Sequence, residues 1–455
     1  MPDFAHMKLT ELVRPQGFDC ACGRRHVCAL QYLNIGAGIL EDLPHMLSAL
    51  GASHPFVVCD ANTWTAAGER VCELLSRAGV RFDTHVIPCH GDKVAPAEWA
   101  VGSVIMHLPA KADLILGVGS GVINDICKVT AHATHRKNAI IGTAPSMDGY
   151  ASNSSSMEVN QVKVSLYNQA PSGILLDTDI LAQAPMRMLW AGLGDMVAKY
   201  IALCEWRISH LAADEYYCPD IADMMRAALR QVMDAAPGLP KRDPRAVQAI
   251  AEGLVLAGVA MAYADISRPA SGLEHYFSHM WEMMALERGL PYDLHGIQVG
   301  VGSLLTLRLY PDILKITPDA KRAREWWRQM TPERWEAQIR HIFGKTAPEI
   351  IVLEQKAHKN DPARHEQRLA RLTGQWDRVQ RIIGEELPDF EHIHAVMAGV
   401  GMPLTPKDIG ISTEDTVNAF VGSRDLRDKY LTSTLLWDLG LTDEYAEKVR
   451  AFAAE

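Results

Sequence analysis

Two periodicities divide the chain. Up to about Asp177, short and almost wholly apolar runs alternate with amphipathic stretches. His54-Pro55-Phe56-Val57-Val58-Cys59-Asp60 precedes a helical pattern over 66–78, and Ala112-Asp113-Leu114-Ile115-Leu116 precedes one over 122–133. Runs that are apolar at every position, not every second one, read as strands buried on both faces, as in parallel sheets covered by helices. An extended run at 31–34, a second α/β unit through 80–88, a strand at 138–143 and extended segments around 162–167 and 173–177 predict the rest of one sheet. From Asp179 on, strand signals vanish and apolar positions recur at helical spacing to the C terminus. The expected architecture is an α/β domain over 1–180 followed by an all-α domain over 181–455.

Composition narrows this picture. With 455 residues, 48% apolar and 22% charged, the chain reads as a soluble two-domain globular protein. A net charge of -10 without a basic run offers nucleic acid no electrostatic footprint. The first residues, Met1-Pro2-Asp3-Phe4-Ala5-His6-Met7, lack the basic-then-apolar order of a secretion signal. No uncharged apolar run is long enough to predict membrane insertion, so a cytoplasmic location is expected. Nine cysteines fit that compartment as reduced thiols. Cys20-Ala21-Cys22-Gly23-Arg24-Arg25-His26-Val27-Cys28 superficially resembles a zinc clip. Its spacing is not a Cys-x-x-Cys pair and it has no second knuckle, so a turn before the first strand is the expectation.

Several stretches carry candidate chemistry. Asp60 ends an apolar run, where an open α/β sheet carries its ligand; it is a candidate acceptor for ribose hydroxyls, and a helix-capping Asp is the bland alternative. Gly117-Val118-Gly119-Ser120-Gly121 stands between a predicted strand and helix, where glycines let the backbone approach a pyrophosphate and the helix N terminus supplies amide donors. Asn124, Asp125 and Lys128 follow in the first turns, with Asp125 a candidate brace for the loop. After the run ending at Thr143, the stretch Ala144-Pro145-Ser146-Met147-Asp148-Gly149-Tyr150-Ala151-Ser152-Asn153-Ser154-Ser155-Ser156 reads as a loop rich in hydroxyl and amide donors, suited to an oxygen-rich ligand. Asp195 is predicted at the start of an apolar helix, either paired with Lys199 one turn later or bound to a metal. Helices over 271–287 and 294–309 flank a turn at 289–292. His275 and His279 share a helical face, and His295 can fold back towards it. Such imidazoles, with a carboxylate from a third element, suit zinc or nickel; two surface helices with unrelated histidines are the alternative.

Taken in order, Gly117–Gly121 with Asn124-Asp125, the tract from Thr143 to Ser152, Gly192-Leu193-Gly194-Asp195, Ser271-Gly272-Leu273-Glu274-His275 and His295-Gly296 resemble the sn-glycerol-1-phosphate dehydrogenase family. The resemblance runs from about Asp60 to Gly302 and is most specific at Pro145–Ser152. It implies a dehydroquinate synthase-like fold, an N-terminal nucleotide-binding α/β domain followed by an α-helical domain. It implies NAD, or NADP, as cofactor and a divalent metal bound by Asp195, His275 and His295. Catalytic roles fall to Asp195 and His279, and substrate contacts to Asp148, Asp195 and His279. Dinucleotide contacts fall to Asp60, Gly117, Val118, Gly119, Ser120, Gly121, Thr143 and Ser152. The implied reaction is reduction of dihydroxyacetone phosphate, a phosphorylated triose, to sn-glycerol 1-phosphate by a homo-oligomer.

Alternatives lie in the same superfamily. Iron-dependent alcohol dehydrogenases place a further histidine one turn after the ligand Asp; here that position is Lys199, which favours zinc or nickel. Dehydroquinate synthase, a lyase, usually has Glu where this chain has Asp195. A glycerol-type polyol dehydrogenase and an NAD-binding sensor without catalysis complete the set.

Overall fold

The computed structural model describes residues 3–89, 93–159 and 162–455, so Met1 and Pro2, which open the N-terminal stretch read for a signal, lie outside the described residues. The chain sorts into two compact units, Met1–Met196 with Cys218–Ser267 and Val197–Tyr217 with Arg268–Glu455. Within the first unit, β1 (Phe18–Asp19) and β2 (Arg25–His26) form a short antiparallel pair. The main sheet holds β3 (Tyr32–Gly36), β4 (Pro55–Asp60), β5 (Asp83–Ile87), β6 (Leu114–Gly119), β7 (Lys137–Gly142) and, after the ribbon of β8 (Ser154–Val159) and β9 (Val162–Tyr167), β10 (Gly173–Asp177). All neighbours in the main sheet are parallel, in the order β3-β10-β7-β6-β4-β5.

The continuous apolar runs have the expected cause. Alternate residues of one strand enter separate cores: Val57 and Cys59 join Leu47, Val71 and Leu116 on one face, while Phe56 and Val58 join Val104, Ile115 and Ile126 on the other. No strand follows Asp177 among the described residues. The change of element type and the division into units are different things, because α2 (Met186–Val197), α4 (Pro219–Ala235) and α5 (Pro244–Ala264) belong wholly or almost wholly to the first unit, whereas α3 (Lys199–Ala213) belongs to the second. Helix α5 is long and apolar enough to cross a membrane by composition, yet 67% of its apolar window is buried within the protein, as in a core helix.

Four local expectations differ from what is observed. Gly117-Val118-Gly119 finishes β6 and is not a loop; only Ser120 separates the strand from α1 (Gly121–Ala133). A Cβ on Gly119 would come within 2.5 Å of Ile123, and one on Gly117 within 3.1 Å of the Cys127 sulfur, so these glycines let α1 lie close on the strand. Ser154–Ser156, expected in a loop, begins β8, which pairs antiparallel with β9 as a two-stranded ribbon outside the main sheet. The segment 162–167, expected to help finish the main sheet, is therefore not part of it, and only β10 joins there. Asp195 stands in the last turn of α2, not the first, and Ala198 separates that helix from α3, which Lys199 opens.

The second unit is helical. Its core gathers Leu273, Phe277, Trp281, Val301, Leu305, Phe420, Leu436 and Trp437, with many others. Helices α6 (Leu273–Arg288) and α7 (His295–Ile313) pack against each other as the turn between them predicts.

Candidate functional site

In the first unit the connections diverge at β4 and β6. The chain leaves β4 towards β5 on one side and leaves β6 through α1 towards β7 on the other. Neighbouring strands with opposite crossovers open a crevice at their carboxyl ends, where open α/β sheets hold ligands. Asp60 ends β4, and Gly119, Ser120 and Gly121 end β6 and begin α1, whose first-turn amides and positive dipole end belong to the same edge. Asp60 also caps its helix, accepting from the Thr63 amide at 2.8 Å. Gly117 and Val118 lie deeper, within the buried strand.

The tract from Thr143 to Ser152 is laced to this edge. Thr143 donates its amide to Gly119 O at 3.0 Å, and the Ser120 and Ser146 hydroxyls lie 2.6 Å apart. Buried Lys128 clamps the far side: its Nζ donates to Gly149 O and Ser152 Oγ at 3.2 and 3.3 Å, and to Ser154 O, and pairs with Asp125 at 2.9 Å. The other Asp125 oxygen accepts from the Ser156 amide at 3.0 Å, so Asp125 braces β8 and the clamp, not the glycines. Asn124 donates to Gly149 O at 3.2 Å, and its buried Oδ1 has no hydrogen-bond partner among the described residues, which makes it a ligand candidate that motif reading passed over. Its place in the first turn after the glycines was the available signal.

Asp148 and Asp195 come together through a close backbone approach. A Cβ on Gly192 would sit 1.9 Å from Pro145 O, so only glycine lets the tract reach α2. The Asp148 amide then donates to the Asp195 carboxylate at 2.9 Å, and carboxylate oxygens of the two acids lie within 4.8 Å. Asp195 is fully buried. Two acids this close repel each other and lose hydration, and a cation relieves both costs.

In the second unit, His275, His279 and His295 gather from α6 and α7. Ring centroids are 5.4 Å apart for His275 and His295, and 5.3 Å for His279 and His295. The His275 and His295 rings are held by groups not assigned a role from sequence. Glu274 Oε1 lies 2.9 Å from His275 Nδ1, while Ser278 Oγ and Glu282 Oε1 lie 2.9 and 3.3 Å from His295 Nδ1. Glu274 and Glu282 are buried. An acceptor on Nδ1 selects the tautomer whose Nε2 carries the lone pair, as in metal-binding histidines. Donor atoms of His279, Glu282 and His295 all lie within 4.8 Å, so Glu282 is a second carboxylate within reach of these imidazoles. Lys199 Nζ, wholly buried, donates to Ala270 O at 3.0 Å. Beneath α6, Glu205 accepts from the Leu273 and Thr432 amides at 3.1 and 2.8 Å. Burial, then the Glu274 charge, pushes its carboxyl up to about 7.

The chain is similar to several known proteins. The profile of the iron-containing alcohol dehydrogenase family matches residues 34–185. The glycerol-1-phosphate dehydrogenase [NAD(P)+] of Halalkalibacterium halodurans is 34% identical over 64% of this chain and 74% of its own length. That of Bacillus velezensis is 28% identical over 92% of this chain and 94% of its own. Among solved structures, glycerol dehydrogenase from Schizosaccharomyces pombe shares the fold with a TM-score of 0.60 and 15% identity, over 93% of this chain and 91% of that one.

Proposed function

We propose, because this chain belongs to the glycerol-1-phosphate dehydrogenase family, that it reduces dihydroxyacetone phosphate to sn-glycerol 1-phosphate with NADH or NADPH and a divalent metal. The donor chemistry carries the reading: a fully buried Asp195 crowded by Asp148, and imidazoles whose Nδ1 atoms face buried carboxylates. Asp195, His275 and His295 would hold the metal, zinc or nickel by the argument from Lys199. Such an ion, when bound, polarises a carbonyl and stabilises the negative charge that grows on its oxygen as hydride arrives from the nicotinamide.

The chain's own groups do the rest. Glu274 and Glu282 keep the proton of each neighbouring imidazole on Nδ1 and fix the ring planes. Asp148 accepts a hydrogen bond from a substrate hydroxyl and so selects the face turned to the nicotinamide, which sets the sn-1 configuration. His279 hydrogen-bonds the substrate and passes the proton required by the product hydroxyl. Asp60 accepts from the adenosine ribose and repels a 2'-phosphate, which favours NAD. Backbone at Gly119, Ser120 and Gly121 serves the pyrophosphate, with Thr143 and Ser152 lining the same dinucleotide path, whereas Gly117 and Val118, paired inside the buried strand, support that edge from within. Cytoplasmic location and self-association belong to the same reading.

The test is NADH oxidation by metal-loaded protein with dihydroxyacetone phosphate, beside unphosphorylated dihydroxyacetone, glycerol-type polyols and the dehydroquinate synthase substrate. Turnover that requires the phosphate and yields sn-glycerol 1-phosphate is expected. Equal or faster turnover of a polyol, or none with the phosphorylated triose, overturns the proposal.

A further inference from the structure

We propose that Cys20, Cys22, His26 and Cys218 form a second metal site, structural and separate from the dehydrogenase chemistry, that takes one zinc ion. The first three surround the turn between β1 and β2, and Cys218 caps the N terminus of α4, 198 residues beyond Cys20. One donor atom from each lies within 4.8 Å of all the others. Tetrahedral zinc, with Zn–S of about 2.3 Å and Zn–N of about 2.0–2.1 Å, sets two sulfurs about 3.8 Å apart and a sulfur and a nitrogen about 3.6 Å apart. The observed Cys20–Cys218 sulfurs are 3.6 Å apart, and His26 Nε2 lies 3.4 Å from the Cys22 sulfur and 3.7 Å from that of Cys218. The ligand sphere is thus already at the spacing a tetrahedral ion requires.

The surroundings agree. His26 is fully buried, and its Nδ1 meets the Tyr263 carbonyl at 2.8 Å, which puts the proton there and turns the Nε2 lone pair to the sulfurs. Gly23, at φ +84°, makes the turn, and the Cys22 amide donates to the Cys20 sulfur at 3.5 Å. Cys218 stands at the positive end of a helix, where a thiolate is favoured. Four protein ligands leave no open position, the mark of a structural site. Its task follows from the strands it holds. β1 and β2 are two residues each, too short to persist alone, and the ion would pin their turn to α4. Binding converts three thiols to thiolates and releases three protons; the Asp220 carboxylate, 3.0 Å from the Cys20 sulfur, is the nearest acceptor for one of them.

Cobalt(II) loading of the full chain tests this independently of the dehydrogenase reading, because Asp195, His275 and His295 include no thiolate. A thiolate-to-cobalt charge-transfer band in the near ultraviolet is expected, lost on adding zinc. Cys20→Ser and Cys218→Ser should each remove it, while Cys28→Ser, in a buried cysteine outside the cluster, should keep it. Zinc analysis of Asp195→Asn protein purified without chelator should retain about one zinc per chain. Where a serine variant fails to fold, the wild-type band and the zinc count still decide. Absence of the band in wild-type protein, a zinc content unaffected by Cys20→Ser, or a Cys20–Cys218 disulfide in unreduced protein overturns the proposal.

Discussion

The sulfur cluster of Cys20, Cys22, His26 and Cys218 and the imidazole cluster of His275, His279 and His295 draw on overlapping ligand types and are built in opposite ways. In the sulfur cluster four donors face one another, and the one imidazole is oriented by a neutral backbone carbonyl. In the imidazole cluster the His275 and His295 rings are oriented by buried carboxylates, Glu274 and Glu282. A closed set of soft ligands grips an ion for the lifetime of the fold. Imidazoles backed by buried negative charge raise ligand basicity while leaving room for exchanging ligands, as a site that turns over substrate requires. Ligand type alone does not separate a structural from a catalytic site; what stands behind the ligands does.

The sharpest way to break this contrast is Asp195→Asn, expected to lower kcat/KM by roughly 10³-fold or more, on the order of 4 kcal/mol of transition-state stabilisation, with the cobalt–thiolate band intact. Retained turnover would detach Asp195 from the chemistry. Glu274→Gln and Glu282→Gln should each weaken metal affinity or activity by roughly 10–100-fold, read by metal titration against kcat. An effect no larger than that of a surface substitution would make these acids mere packing. Gly192→Ala forces a methyl group against Pro145 O, 1.9 Å from its ideal position. A loss of about 2–3 kcal/mol in denaturant unfolding is expected, with activity falling further because Asp148 and Asp195 are displaced. Brief dialysis against a chelator should abolish activity while changing Tm by no more than a few degrees, about 1 kcal/mol or less, because the closed sulfur site exchanges slowly. A large early drop in Tm would reverse the roles of the two clusters.

The smallest effect is on pH. Glu205 ordinarily titrates near 4.5, and burial beside Glu274 raises it to about 7. Below 4.5 both folded and unfolded chains hold the proton; between 4.5 and about 7 only the folded chain does. The stability contributed by this proton therefore falls as pH rises through that window and is gone above it. Glu205→Gln should flatten this part of a Tm-against-pH curve, and an unchanged slope would move the titration elsewhere.

Much of this molecule is written locally. Apolar runs and helical spacing suffice for the α/β-then-helical order, for the strand and helix around Gly119, and for His275 and His279 on one face, because these depend on the period of a single element. Packing decided the rest. Gly117 and Gly119 looked like a loop because a glycine needed for close helix contact and one needed for a turn are the same letter. Ser154–Ser156 looked like a loop because its strand pairs outside the main sheet. Lys128, Glu274 and Glu282 are ordinary charged residues until burial makes each carry a hydrogen-bonding duty. Cys218 is the clearest case: no spacing rule links it to Cys20, and only the packing of α4 beside a two-residue hairpin brings the fourth ligand to the other three.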